Sequence, residues 1–333
     1  MKTAAHIGVL LGLALLLTLV VRADFAAMLQ TLAQAGWRLL WLIPYRAVYF
    51  SLYALGWRRL LQPYDPERRA GLAYLLWVTT IREAIDRLLP VASVGGGVVG
   101  VRLLRWRGLP VPQVAATVIT EILLTLIVLY LFTAVGLVLL LHLSGPDTSY
   151  RRLLLGFLLT LPAPIVLALL LRYGSVFKRL QAMLRPLVGA SSWVQGAESL
   201  DRELRAGLHR VGALAYAGSL QFAAVLLGSF EVWFALRLFG HPVSVGAAVA
   251  LESMTQAVRH LAFIVPAGIG VQEAGLVLFG HALGISGELA LAVSMAKRLR
   301  EVLCGLPALI SWQWSEGRQL RFRTHDSDRA DDH

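Results

Sequence analysis

Apolar positions run through this chain in long blocks, and polar residues gather at the ends of those blocks. Segments at about 5–21, 38–61, 113–141, 153–171, 211–239 and 289–312 are each long enough to cross a hydrocarbon core of about 30 Å as a helix. Two further stretches, 72–101 and 243–281, have roughly the length of two helical arms and are interrupted by Pro and Gly. Broken backbone at membrane depth survives only where protein or a water-filled cavity satisfies its polar groups. Each stretch is therefore predicted to be a re-entrant hairpin or two short tilted spans. The fold class that follows is all-α: a polytopic helical membrane protein with six full spans and two broken hairpins. A single transmembrane domain covers 1–317. Ala4–Val21 resembles a signal peptide, but Val21-Arg22-Ala23 is a poor cleavage site, so a retained first helix is expected.

Composition agrees. Only 15% of residues are charged, against about 25% in an ordinary soluble domain. One cysteine, Cys304, excludes a disulfide framework and a cysteine metal site; no metal and no cofactor are expected. A net charge of +11 would suggest nucleic acid in a soluble protein, but here the basic residues flank spans and point to a membrane surface instead. With both broken stretches taken as hairpins, most Lys and Arg outside the spans fall on one side, with the N-terminus, 58–69, 102–107, 172–210 and the tail. The positive-inside rule then places both termini in the cytoplasm, with Arg151 and Arg152 dissenting. The stretch 173–210 carries two apolar stripes: Val176, Phe177, Leu180, Met183 and Leu184, then Leu200, Leu204, Leu208 and Val211. Helices lying on the inner leaflet or packed on the protein's own cytoplasmic face would both produce this pattern. The charged tail, 318–333, is expected to be disordered.

The broken stretches resemble one another. A shift that carries Pro90 onto Pro266 carries Gly108 onto Gly284, and the order of roles repeats: charged apolar helix, Pro, Gly cluster, apolar arm, Gly turn, long helix. The half-repeats are roughly 72–141 and 243–312. Three full spans separate the hairpins, and an odd number reverses direction, so an inverted repeat is predicted, an architecture suited to alternating access. The turns are marked by Pro90, Gly95 and Gly96 in the first copy and by Pro266, Gly268 and Gly270 in the second.

Charges beside such turns are expensive and mark candidate transport sites. On the first arm, Arg82 with Asp86 and Glu83 with Arg87 have the spacing of i,i+4 ion pairs. They would neutralise one another, line a cavity, or do both. In the second half Glu252 and Arg259 share a helix face. Glu273 follows the glycine turn, as a helix cap or as a substrate or proton contact. Glu121 lies within a long span. Lys297 and Glu301 can pair at i,i+4, which leaves Arg298 and Arg300 needing other partners; Glu252 or Glu273 would tie the last helix to the broken segment. Glu231 and Arg237 read as interfacial residues, and Arg46 as an isolated charge needing a carboxylate or an aqueous pocket.

LLPVASVGGGVVGVRLLRWRGLPVPQVAATVITE, VPAGIGVQEAGLVLFGHALGIS and RLREVLCGLPALISW together resemble the flippase-like family. That family comprises the transmembrane region of lysylphosphatidylglycerol synthases and stand-alone relatives, and the likeness is greatest to the hopanoid-biosynthesis-associated type, HpnL. It extends over about residues 5–315, with Pro-x-Gly-x-Gly-x-x-Glu at 266–273 its most specific part. The resemblance implies movement or handling of a lipid, hopanoids being the implied class, in the bacterial inner membrane. Relatives often carry an acidic residue after the first glycines where this chain has Gly97, which weighs against a mechanism needing symmetrical carboxylates. The synthases also carry a soluble aminoacyl-transferase domain, for which this chain has no room.

Three functions compete. A non-enzymatic lipid transporter or flippase would use Arg82, Glu83, Asp86, Arg87, Glu121, Glu252, Arg259, Glu273 and Arg298 to hold a polar head group. A scaffold for lipid-synthesising or export proteins would dock them on the basic 173–210 region. An intramembrane enzyme would use His260 and Glu273 as acid and base, but the chain lacks H-E-x-x-H, a nucleophile elbow and a phosphate loop.

Overall fold

A chain in hydrocarbon must satisfy each N–H and C=O within its own segment, and the apolar blocks accordingly form helices. The computed structural model describes residues 30, 32–33, 35–89, 95–144, 148–174, 192–262, 265 and 268–331. The predicted first helix, the stripe at 176–184, Pro90 and Pro266 lie outside them. After a 3-10 turn at Gly36–Trp41 come α1 (Leu42–Leu61), α2 (Leu72–Leu88), α3 (Gly95–Arg105) and α4 (Val111–Ser144). Then follow α5 (Thr148–Thr160), α6 (Pro162–Tyr173) and α7 (Ser192–Leu208). The chain closes with α8 (Val211–Leu238), α9 (Val245–Leu261), α10 (Val271–Ala282) and α11 (Gly287–Asp331). The protein is an all-α polytopic membrane protein. Gly36–Leu61, Val111–Leu143, Leu154–Tyr173 and Val211–Leu238 are each long and apolar enough to cross a membrane.

The two broken stretches have the same element order, a longer arm followed by a shorter one. Arms α2 and α9 both have 17 residues, and arms α3 and α10 have 11 and 12. At 1.5 Å per residue the second arms are only about 17 Å long, too short for a core of about 30 Å, and each packs on the 17-residue arm before it. The turns after α3 and α10 match bond for bond. Gly108 (φ 76°) and Gly284 (φ 74°) take left-handed backbone, Leu109 N–H donates to Leu104 O, and Ile285 N–H donates to Gly280 O. Only glycine enters that region without strain.

Contacts between the halves are exchanged reciprocally. The long helix α4 packs on arm α9, while the long helix α11 packs on arm α2. Helices α1 and α8, which precede the two hairpins, pack on each other, with Gly56 close against Ala217. Each half also has its own apolar core. Trp57, Leu75, Ile81, Leu103 and Leu104 fill the first, with Ala308 of α11 joining it. Leu236, Leu251, Leu276 and Leu291 fill the second, joined by Leu137 and Leu140 of α4. The swapped long helices thus complete each other's cores. Helices α1 and α8 stand in equivalent places before the two hairpins.

The remaining helices add three details. The predicted span 153–171 is two helices meeting at Leu161, since Pro162 fits a first helical turn and lacks the N–H a continuous helix needs. Its Leu159 is 83% exposed, as a lipid-facing residue would be. The stripe of α7 packs on the protein itself: Leu204 and Leu208 are buried with Ala116 and Leu123 of α4 and Leu171 of α6. Val211 has left that stripe; it starts α8 and is exposed. Helix α11 runs past Gly317 to Asp331.

Candidate functional site

The hairpin arms approach closely at their tips because glycine leaves room. A Cβ at Gly96 would lie 2.5 Å from Arg82 O and 2.6 Å from Asp86 Oδ2, and one at Gly268 would lie 2.9 Å from Arg259 Nε. Gly95 opens α3, and Gly270 (φ 78°) is the N-cap of α10. The Glu273 carboxylate accepts from Gly270 N–H at 2.8 Å, so the capping role holds. Glu273 is fully buried, and it also accepts from Ser294 Oγ at 2.8 Å and from Arg298 Nε at 3.2 Å. Arg298 reaches on to Gly268 O at 3.3 Å, which fastens α11 to the turn. The tie between the last helix and the broken segment is therefore made.

The first tip performs the same task from its other arm. Asp86 Oδ1 accepts from Gly96 N–H at 3.0 Å, so a carboxylate again meets a free amide at the start of the second arm. Counting along the two 17-residue arms, Asp86 occupies the place of Arg259. Gly97 sits where the second half has Glu273. The halves thus carry carboxylate caps from different arms, Asp86 in the first and Glu273 in the second.

Two expected pairs are not formed. Arg82 is not held by Asp86. It donates from Nη1 to Glu121 Oε2 of α4 at 2.6 Å and lies over the Trp57 ring, 4.5 Å from its centroid. Lys297 is not held by Glu301 but by Glu252 of α9, at 2.6 and 2.8 Å from the two carboxylate oxygens. In each case the interhelical partner gives a short, charge-assisted bond in a dry setting, whereas an i,i+4 pair must bend two side chains along one helix. The Glu83–Arg87 pair does form, at 2.8 Å.

From that pair a single network extends through both halves. Arg46 reaches Glu83 at 3.6 Å, and Arg87 faces Glu301 at 3.9 Å. Glu301 stands 3.5 Å from Arg298 and 3.9 Å from Arg300. Arg300 lies 3.4 Å from Glu231, which accepts from Tyr49 Oη at 2.8 Å. Glu231 is thus buried, not interfacial as expected, and Arg46 has found both its carboxylate and the Phe50 ring, 4.0 Å away. Arg237 lies over the Trp233 ring, 5.4 Å from its centroid. Arg259 makes no ion pair among the described residues, and His260 beside it is exposed.

The Arg298–Glu301 turn of α11 therefore meets both hairpins, Glu273 from the second and Arg87 from the first. Counting from Gly287, this turn lies about 17–21 Å along the helix. Glu83, Arg87 and Arg298 keep some exposure, at 25%, 16% and 20%, so the network has an accessible edge. Sequence reasoning missed Tyr49 and Ser294 as members, and nothing marks them locally. Glu301 was legible from its i,i+4 spacing to Lys297, but only as that residue's partner.

This is the arrangement of a polytopic membrane protein in which two broken hairpins share one charged centre. The chain belongs to the family described as the lysylphosphatidylglycerol synthase TM region, whose model matches residues 6–307, nearly the whole chain. That membership relates it to lipid biosynthesis or flipping. No curated protein and no solved structure match it.

Proposed function

We propose that the protein is a non-enzymatic lipid transporter or flippase of the bacterial inner membrane, with hopanoid lipids as its cargo. The observation that carries this reading is the turn Arg298–Glu301, a buried set of charges contacted by the tips of both hairpins. In an inverted repeat, a site shared by the two halves is exposed to one leaflet or the other as the halves rock.

The network is balanced: Arg46, Arg87, Arg298 and Arg300 stand against Glu83, Glu231, Glu273 and Glu301. A neutral polyhydroxylated head group suits such a site better than an anion, because hydroxyls donate to the carboxylates and accept from the guanidinium groups. The HpnL-type likeness and its hopanoid class agree with that chemistry. An acid–base enzyme is less well supported. Glu273 is filled by three donors, and His260 Nδ1 is engaged with Gln256 O.

Reconstitution into liposomes containing a polyhydroxylated hopanoid, read by a leaflet-specific assay with and without a pH gradient, tests the proposal. Transfer above the protein-free rate is expected, and it should be lost in Arg298→Gln and Glu301→Gln. Protein-free rates in every liposome, or a mass change in the lipid, would overturn it.

A further inference from the structure

A second site lies away from the hairpin tips, where the α1–α2 connection meets the start of α8. It is a cavity of about 760 Å³ lined by Arg58, Arg59, Arg68, Asp65, Leu55 and Tyr216, among others. Its size falls within the range of small-molecule sites, roughly 300–1,000 Å³.

The charges in this cavity do not cancel. Among the described residues, Asp65 is the single acidic member of its wall, against three arginines. Both Asp65 carboxylate oxygens are already occupied, accepting from Arg69 N–H at 2.8 Å and from Ala70 N–H at 2.9 Å. That grip holds the turn in which Arg68 takes left-handed backbone, φ 55°. Such backbone is strained in a residue other than glycine and persists where the surroundings enforce it. Arg59 donates to Gln62. The guanidinium groups of Arg58 and Arg68 have no hydrogen bond or ion pair among the described residues. Planar, unpaired guanidinium groups converging on one space recognise phosphate oxygens. Leu55, Leu61 and Leu75 add apolar surface to the lining, and Gly212 belongs to it with nothing within 4 Å of an added Cβ.

We propose that this cavity binds a net-anionic phosphate ligand, either the phosphodiester head group of an acidic membrane lipid or a soluble phosphate. The cavity lies on the face that the positive-inside rule assigns to the cytoplasm. Among the described residues it shares no lining residue with the charged network, so it stands or falls independently of the transport reading.

Isothermal titration of the purified full-length protein in detergent tests it, with three probes: short-chain phosphatidylglycerol, short-chain phosphatidylcholine and inorganic phosphate. Phosphatidylglycerol is expected to bind about tenfold or more tighter than phosphatidylcholine, whose choline cation meets the arginines unfavourably. The double variant Arg58→Gln/Arg68→Gln should lose about tenfold or more in that affinity. Gly212→Phe should block binding by filling the space while leaving the melting temperature unchanged. Binding of inorganic phosphate that depends on Arg58 and Arg68, with none of the lipid, supports the site and makes its ligand soluble. Absence of binding by both anions overturns the proposal, as does wild-type affinity in the double variant.

Discussion

Arg87 Nη1 and Glu301 Oε1 face one another across the two halves at 3.9 Å, both largely buried, and make no direct hydrogen bond. A charge-assisted pair would close to about 2.7–2.9 Å if nothing held it open. The neighbouring Glu301–Arg300 separation is equally long, and Glu301 Oε2 has no hydrogen-bond partner among the described residues. The centre between the hairpins is thus the loosest part of the network. Contacts of that length are where water or a ligand hydroxyl fits between the groups.

Glu301→Gln should consequently do more harm than its few short contacts suggest. It leaves Arg87, Arg298 and Arg300 without the carboxylate they share. A cost of about 3–5 kcal/mol is expected for an uncompensated buried charge. Thermal unfolding in detergent should show a large fall in Tm, and a Tm within a degree of wild type would contradict the buried network.

The Lys297–Glu252 pair allows a cleaner comparison, because its two members are 5% and 6% exposed and bonded chiefly to each other. Lys297→Met and Glu252→Leu should each destabilise by about 3–5 kcal/mol, while the double variant recovers most of the loss. Additive losses in the double-mutant cycle would mean that the two side chains act separately.

Adjacent glycines of the first tip should respond oppositely to alanine. At Gly96 the new methyl collides with Arg82 O and Asp86, whereas at Gly97 it meets only Val118 Cγ1 at 3.3 Å. Gly96→Ala should lower folded yield and Tm sharply, and Gly97→Ala should stay near wild type. Equal behaviour of the two would refute the close approach of α2 and α3.

The inversion of the repeat has a labelling test. Arg105 and Ser286 are exposed residues flanking the equivalent Gly108 and Gly284 turns. In a Cys304→Ala background, a membrane-impermeant thiol reagent should label Ser286→Cys in intact spheroplasts and Arg105→Cys only after permeabilisation. Labelling of both from the same side would remove the inverted topology and the rocking mechanism with it.

Much of this was legible in the chain itself. Apolar block length determined where helices form, because hydrocarbon leaves the backbone no other way to satisfy itself. The Pro–Gly interruptions located both hairpins, and Gly108 and Gly284 located the matching turns. The Pro-x-Gly-x-Gly-x-x-Glu element foretold the cap that Glu273 makes, since capping is a local interaction over a few residues.

Which charges hold which others was decided only by the tertiary structure. Arg82 had a carboxylate four residues away in Asp86 but took Glu121 from α4; Lys297 had Glu301 but took Glu252 from α9. Local spacing fixes which pairs are within reach. The pairs that form depend on how closely α4 approaches α2 and α11 approaches α9, and that is set by packing between segments far apart in the chain. The same holds for Glu231, whose place near a helix end suggested an interface until α1 and α11 closed over it with Tyr49 and Arg300. Burial of a charge is a property of its neighbours, and a linear sequence does not order neighbours in space.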